Sequence, residues 1–119
     1  MSRFFEDIYE RLDYIEFRQQ LLFDNTDLDR LLFEYEITKK EYHQIMDLMD
    51  QLRDKISRRE PVSHGFFEER MYAIIPSHNG DYHMCEYIAR SFMDEGRWDE
   101  VFPALYGDMP KYQYLKDKQ

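Results

Sequence analysis

The densest group of side chains that could bind a metal lies in the segment HNGDYHMCE, residues 78 to 86. Its possible ligands are His78, Asp81, His83, Cys85 and Glu86. Imidazole, thiolate and carboxylate groups are the ligands that zinc and related metals use in proteins. On a helix that begins after Asp81, however, Cys85 points to the apolar side, whereas His83 and Glu86 lie on the polar side. The thiol and the imidazole diverge, so we predict no metal site, no cofactor and a buried structural thiol.

The remaining polar groups of this segment fit an ordinary helix surface. Glu86 and Arg90 are four residues apart, which predicts a surface ion pair. His78 falls in a predicted turn, and His83 shares the polar face with Glu86. We predict surface histidines, and the sequence leaves open whether His64, His78 or His83 has any role.

A second possible chemistry comes from Arg59 and His64, which have the R-x4-H spacing found in HEPN-type ribonucleases. Pro61 lies between them in a predicted loop, so their relative geometry is not fixed, and a solvated loop is the simpler interpretation. No phosphate loop, dinucleotide fingerprint, G-x-S-x-G or H-E-x-x-H motif occurs in the chain. We therefore predict no catalytic residue, and a metal-dependent or HEPN-like nuclease is the enzyme alternative.

The composition restricts the class of partner. The 119 residues include 16 basic and 25 acidic side chains, which gives a net charge of -9 and disfavours nucleic acid as a partner. One cysteine excludes an internal disulfide and fits the reducing cytoplasm. The sequence shows no signal peptide, and no run of about 18 apolar residues that could span a membrane. We expect a cytoplasmic protein that contacts neither nucleic acid nor a membrane.

Helical periodicity runs through the whole chain, interrupted by only four Gly and four Pro, so we predict an all-α fold. A first helix is expected from about Ser2 to Phe23. Thr26 and Asp29 predict the start of a short second helix through LDRLLFEYE. Thr38 and Glu41 form a capping box for a third helix that ends at SRREP. The apolar positions of this third helix share one face; they are Tyr42, Ile45, Met49, Leu52 and Ile56.

The second half of the chain predicts two or three more helices. Ser63 is the expected cap of a helix through FFEERMYAII, PSHNGD is a turn, and Asp81 caps a helix that stops at Gly96. A last helix should begin near Trp98, with Pro103 in or near its first turn because proline is not tolerated deeper in a helix. The stretch YIARSFMDEGRWDEVFPALY looks like one tetratricopeptide hairpin, but a single copy predicts only a local αα-hairpin. We expect five or six helices in a single domain over residues 1 to 110, and a frayed tail over 111 to 119.

The most regular pattern is in the opening stretch FFEDIYERLDYIEFRQQLL. Residues separated by alternating steps of three and four fall in one band of the helix, which we call the seam; they are Phe5, Ile8, Leu12, Ile15, Gln19 and Leu22. Tyr14, Phe17 and Leu21 lie on roughly the opposite side. A helix that is apolar on two opposed faces is either central in a bundle or shared between subunits. Because a small chain has few helices to surround it, we predict a coiled-coil-like contact between copies, with Gln19 setting register and oligomer order; burial of the whole stripe in the monomer's core is the alternative.

Several segments resemble the YhaI-like family of small Bacillus-type proteins. They are RLDYI at 11 to 15, QLL at 20 to 22, DLDR at 27 to 30 with Phe33, ITKKE at 37 to 41, and the hairpin around Gly96. The similarity extends over about residues 10 to 109, with departures at Pro103 and PSHNGD. This family is a domain of unknown function with a multihelical fold. The resemblance implies that fold and transfers no catalytic or binding residue.

Together, these features predict a non-enzymatic helical module that associates with itself and with another protein, in an unknown pathway. The alternative is a small acidic inhibitor or regulator, such as a phage- or prophage-encoded one, that occupies a basic surface of a host protein.

Overall fold

A computed structural model describes residues 5–112, and every regular element in this range is helical. Six α-helices follow one another, with bounds α1 Ile8–Asp24, α2 Asp27–Glu34, α3 Lys39–Ser57, α4 His64–Ile74, α5 Tyr82–Asp94 and α6 Val101–Tyr106. Short 3-10 turns occupy Pro76–His78 and Pro110–Tyr112. The prediction of an all-α fold with five or six helices is confirmed.

Side-chain caps begin α2, α3 and α4 where the sequence placed them. The Thr26 and Thr38 hydroxyls each accept from the backbone N–H three residues on, and the carboxylates of Asp29 and Glu41 accept from the backbone N–H of the respective threonine. Ser63 caps α4 in the same way as the threonines cap their helices, through its hydroxyl. Each of these bonds satisfies an N–H that the first helical turn leaves without a partner, which explains why the predicted starts are accurate.

Helix α1 begins later than predicted. The Asp7 side chain caps it by accepting from the Tyr9 backbone N–H, so Phe5 precedes the helix, and Ser2 lies outside the described residues. The Phe5 ring packs on Tyr14 with 5.1 Å between centroids. Because Tyr14 belongs to the face opposite the seam, the assignment of Phe5 to the seam is wrong.

The hairpin between α5 and α6 forms as expected, with a different second boundary. Gly96 has φ 79° and ends α5, and the Arg97 N–H donates to the Phe92 carbonyl, as in a Schellman motif. Helix α6 begins at Val101, not near Trp98, whose indole N–H donates to a carboxylate oxygen of Asp50. Pro103 is the third residue of α6, within the first turn as predicted, where it removes no helical hydrogen bond.

The hydrophobic core gathers around α5, which packs against α2, α4 and α6. Its inward residues are Met84, Cys85, Ile88, Ala89 and Phe92. They meet fully buried side chains from the other helices, among them Leu32, Met49, Phe67, Phe102 and Tyr106. Helix α1 is peripheral, because only Tyr14 and Leu21 of its residues are buried.

The chain after α6 folds back onto α5, contrary to the prediction of a frayed tail from residue 111. Tyr112 is buried, and its ring meets Phe102 edge-on with centroids 5.0 Å apart. Its hydroxyl donates to Glu86 Oε1, and Lys111 Nζ lies 2.7 Å from the same oxygen. Glu86 is 1% exposed, so the predicted surface pair with Arg90 is also wrong. The rest of the predicted tail, 113 to 119, lies outside the described residues.

Candidate interaction surface

Helix α1 binds the body of the protein through one narrow face. Tyr14 and Leu21 are buried there, and Phe17 is half-buried with its ring 6.1 Å from that of Tyr42 in α3. Arg18 fixes the helix to α2, because its guanidinium donates to the Phe33 carbonyl at 2.9 Å and lies 3.7 Å from the centre of the Phe33 ring. These contacts position the opposite face of α1 away from the core.

The seam lies on that opposite face and is open to solvent. Ile8 and Leu22 are 59% exposed, Leu12 is 48% and Ile15 is 43%. Gln19 is also exposed. The alternative interpretation, that this stripe is buried in the monomer's own core, is therefore wrong for these five residues. Phe5 is the one predicted seam residue that does not lie on this exposed face.

One exposed apolar residue beside the seam was not predicted from the sequence. Phe23 is 84% exposed, more than any other large apolar side chain in the described range. At 100° per residue it lies about 20° from Leu12 around the helix, on the edge of the seam. The same periodicity that identified the seam could have found it, but Phe23 does not follow the alternating steps of three and four.

Exposed apolar side chains concentrate on α1. Among the described residues nine large apolar side chains are exposed, and six of them are on this helix: Ile8, Tyr9, Leu12, Ile15, Leu22 and Phe23. Scattered exposed apolar residues are normal, whereas a contiguous set marks an interaction site. The flanks of the seam are charged, with Arg11 on one side and Glu16 on the other, both exposed.

The potential metal ligands of HNGDYHMCE separate in the fold. Cys85 is fully buried, His83 is exposed between the rings of Tyr82 and Tyr87, and Glu86 points inward to Tyr112. His78 is half-buried, and its Nε2 donates to the Tyr35 carbonyl oxygen at 2.6 Å. Within residues 5 to 112, no three His, Cys, Asp or Glu side chains are grouped as metal ligands.

Burial dominates the acid–base properties of Cys85 and its neighbour. It raises the pKa of the Cys85 thiol to about 12, and it raises the pKa of Tyr72, which is hydrogen-bonded to that thiol, to about 12 as well. The thiolate is the reactive form of cysteine, so this environment suppresses nucleophilic and metal-binding chemistry at neutral pH. The prediction of a buried thiol is confirmed.

Arg59 and His64 are held by separate structural contacts. Arg59 has φ 61° and ends α3, where its N–H donates to the Ile56 carbonyl. His64 is the first residue of α4, with Nδ1 3.4 Å from Glu68 Oε2 and its ring stacked on Tyr106. The Tyr106 hydroxyl donates to the same Glu68 oxygen at 2.8 Å. Each residue therefore has a structural role at a helix end, Arg59 after the last turn of α3 and His64 in the first turn of α4.

No helix in the described part of the chain is both long enough and apolar enough to cross a membrane. Comparison with known proteins gives no matching family model, no matching curated protein and no matching solved structure.

Proposed function

We propose that this protein is a non-enzymatic helical module that associates with a second copy of itself through the seam of α1. The observation that carries the proposal is the exposed stripe of Ile8, Leu12, Ile15 and Leu22, with the polar Gln19 between the last two, on a helix whose other face is docked. From Ile8 to Leu22 the stripe extends about 21 Å along the helix, or about four helical turns.

The first half of α1 supports this proposal independently. Residues 8 to 13 are all exposed, so this part of the helix gains little from packing within the described chain. Helices shorter than about 12 to 15 residues are only marginally stable in water without tertiary contacts. A second copy that covers Ile8 and Leu12 would supply the missing contacts.

The charges beside the seam favour a parallel pair of helices. In a heptad repeat with Leu12 and Gln19 at the a positions, Arg11 occupies a g position and Glu16 the following e position. Parallel pairing brings Arg11 of one copy to Glu16 of the other, twice by symmetry, and places Gln19 opposite its own copy, where the two amides can bond. Antiparallel pairing would separate Arg11 from Glu16 of the other copy, because g positions then face g positions and e positions face e positions.

Light scattering of the wild type over a range of concentrations tests association, and a Gln19→Cys variant tests orientation. Parallel pairing predicts a rapid intermolecular disulfide under mild oxidation, because a positions face each other. Cys85 is buried and should not compete. Gln20→Cys, on the next residue but off the seam, is the matched control. A wild type that stays monomeric at high micromolar concentration would refute self-association, and a dimer that fails to cross-link through Gln19→Cys would refute the parallel arrangement.

The second candidate function is that of a small acidic regulator that occupies a basic surface, which the net charge of -9 favours. Capture of a partner at low salt that weakens steeply at high salt would support this function. We place either activity in the cytoplasm, since the single cysteine is a buried thiol with no disulfide role. Membership of the YhaI-like family stays a prediction from the sequence.

A further inference from the structure

An open groove of about 1250 Å³ lies between α1, the first half of α3 and the end of α4. A smaller groove of about 320 Å³ continues it along α3, because both are lined by Gln44, Ala73 and Ile74. We call the combined feature the trough. On α3 it extends from Lys39 to Gln51, which corresponds to about 18 Å or three helical turns. Its volume is larger than the about 300 to 1,000 Å³ of the clefts that bind small molecules.

The floor of the trough is apolar. It is formed by the buried Leu21 and the half-buried Phe17, Tyr42 and Ile74. Tyr42 is fixed from below, because its hydroxyl accepts from Arg97 at 3.0 Å and its ring stacks on Phe92. The floor is therefore a preformed surface that can receive apolar side chains of a partner.

The walls of the trough are mainly acidic. Seven carboxylates line it: Glu10, Asp13, Glu16, Asp24, Asp29, Glu41 and Asp47. The lining cations are Lys39, Lys40 and Arg70, so seven negative and three positive groups leave a local charge of -4 with neutral His43. Charges that line a concave, partly apolar surface attract groups of the opposite sign more strongly than scattered charges do.

From these features, we propose that the trough binds a cationic amphipathic helix of another protein. An apolar face of about three turns would lie on Phe17, Tyr42 and Ile74, and Lys or Arg side chains would face Glu10 and Asp13 of α1. This is the helix-in-groove mode of recognition. A second copy is a poor occupant, because its own α1 carries the same carboxylates and the whole chain has a charge of -9. Glu16 borders both the trough and the seam, but Glu10, Asp13 and Phe17 lie on the side of α1 away from the seam, so this binding does not depend on self-association.

The test uses the full chain and a designed 15-residue helical peptide built from Leu and Lys, with a second peptide in which each Lys is replaced by Glu. We expect the basic peptide to bind in fluorescence anisotropy, the acidic one not to bind, and the affinity to fall with added salt. Glu10→Gln/Asp13→Asn should lower the affinity for the basic peptide about three- to tenfold, which is the effect of losing two partly screened ion pairs. Ala73→Trp places a large ring in the trough from an exposed helical position and should weaken binding of the basic peptide at least about tenfold.

The matched control is Glu69→Gln/Asp99→Asn, which removes the same two charges at exposed positions that do not line the trough. It should change the affinity less than about twofold, since only the long-range field is reduced. Equal weakening by both charge pairs would overturn the proposal by showing capture through overall charge. Normal binding by Ala73→Trp would also overturn it, as would loss of binding only in Ile8→Asp/Ile15→Asp, which would place the peptide on the seam.

Discussion

Ile8→Asp/Ile15→Asp is the substitution that most directly probes the seam. Their exposures of 59% and 43% amount together to about one complete apolar side chain per copy. Complete burial of such a side chain contributes about 1.5–3 kcal/mol, so a symmetric pair should lose about 3–6 kcal/mol of association free energy. The dissociation constant should rise by roughly 10² to 10⁴.

The fold of the monomer should survive both changes. Neither side chain is in the core, and Ile8 is the first residue of α1, where a carboxylate interacts favourably with the helix dipole. Surface substitutions of this kind change the free energy of unfolding by only about 0.5 kcal/mol. Circular dichroism and thermal unfolding at a concentration where the wild type is monomeric would check this.

A matched control is available on α5. Tyr82→Asp/Tyr87→Asp adds the same two charges, and Tyr82 is likewise a first helical residue behind an aspartate cap. The two tyrosines are 50% and 44% exposed, close to the values for the seam pair. We would measure association by sedimentation equilibrium for the wild type and both variants. If the seam pair raises the dissociation constant no more than the control pair does, the seam is not the association surface.

The buried groups and the end of α3 can each be tested by stability or reactivity measurements. Burial by itself raises the pKa of Glu86, but the hydrogen bonds from Lys111 and Tyr112 outweigh it and hold that pKa below its ordinary value. The carboxylate thus contributes stability above its unfolded pKa that is lost as the pH falls through the lower folded pKa. Tyr112→Phe should cost about 1–3 kcal/mol at pH 7 and move the acid loss to higher pH, and a pH-independent difference in urea titrations would contradict this. At pH 8 the thiolate fraction of Cys85 should be about a thousandfold lower than in the unfolded chain, because burial raises its pKa to about 12. The higher nucleophilicity of a thiolate of higher pKa offsets part of this, so reaction with a disulfide reagent should be more than about tenfold slower in the native protein, and a native rate within tenfold of the unfolded one would be inconsistent. Arg59→Gly should raise the free energy of unfolding by up to about 1 kcal/mol in chemical denaturation, because glycine adopts the left-handed backbone at the end of α3 without strain. A loss of stability would refute the left-handed backbone assigned to Arg59.

The helix starts that carry a predicted side-chain cap were accurate, for a local physical reason, whereas the predicted starts of α1 and α6 were wrong. A capping box joins groups three residues apart, so Thr38 and Glu41 determine where α3 begins without help from the rest of the fold. The predicted start of α1 was wrong because the apolar spacing continues on the N-terminal side of the first helical residue. Phe5 fits that spacing, yet the helix begins only after Asp7, whose side chain caps it.

The candidate interaction surface could be predicted only in part. Its stripe on α1 is a local pattern, so the sequence revealed it. Whether Ile8, Leu12, Ile15 and Leu22 would be covered by other helices depends on contacts between distant segments, and the exposure of all four is a property of the tertiary structure. The trough gave no sequence signal, because Phe17, Tyr42 and Ile74 come from three helices.

The sequence by itself determined the helical class, the caps and the two opposed faces of α1, since each depends on groups within a few turns of one another. Tertiary structure decided the rest. Glu86 and Tyr112 are 26 residues apart, and only the return of the chain onto α5 makes one a buried carboxylate and the other its donor. Burial depends on which segments pack together, and that packing places the uncovered side of α1 outward and brings its acidic flank alongside α3 and α4.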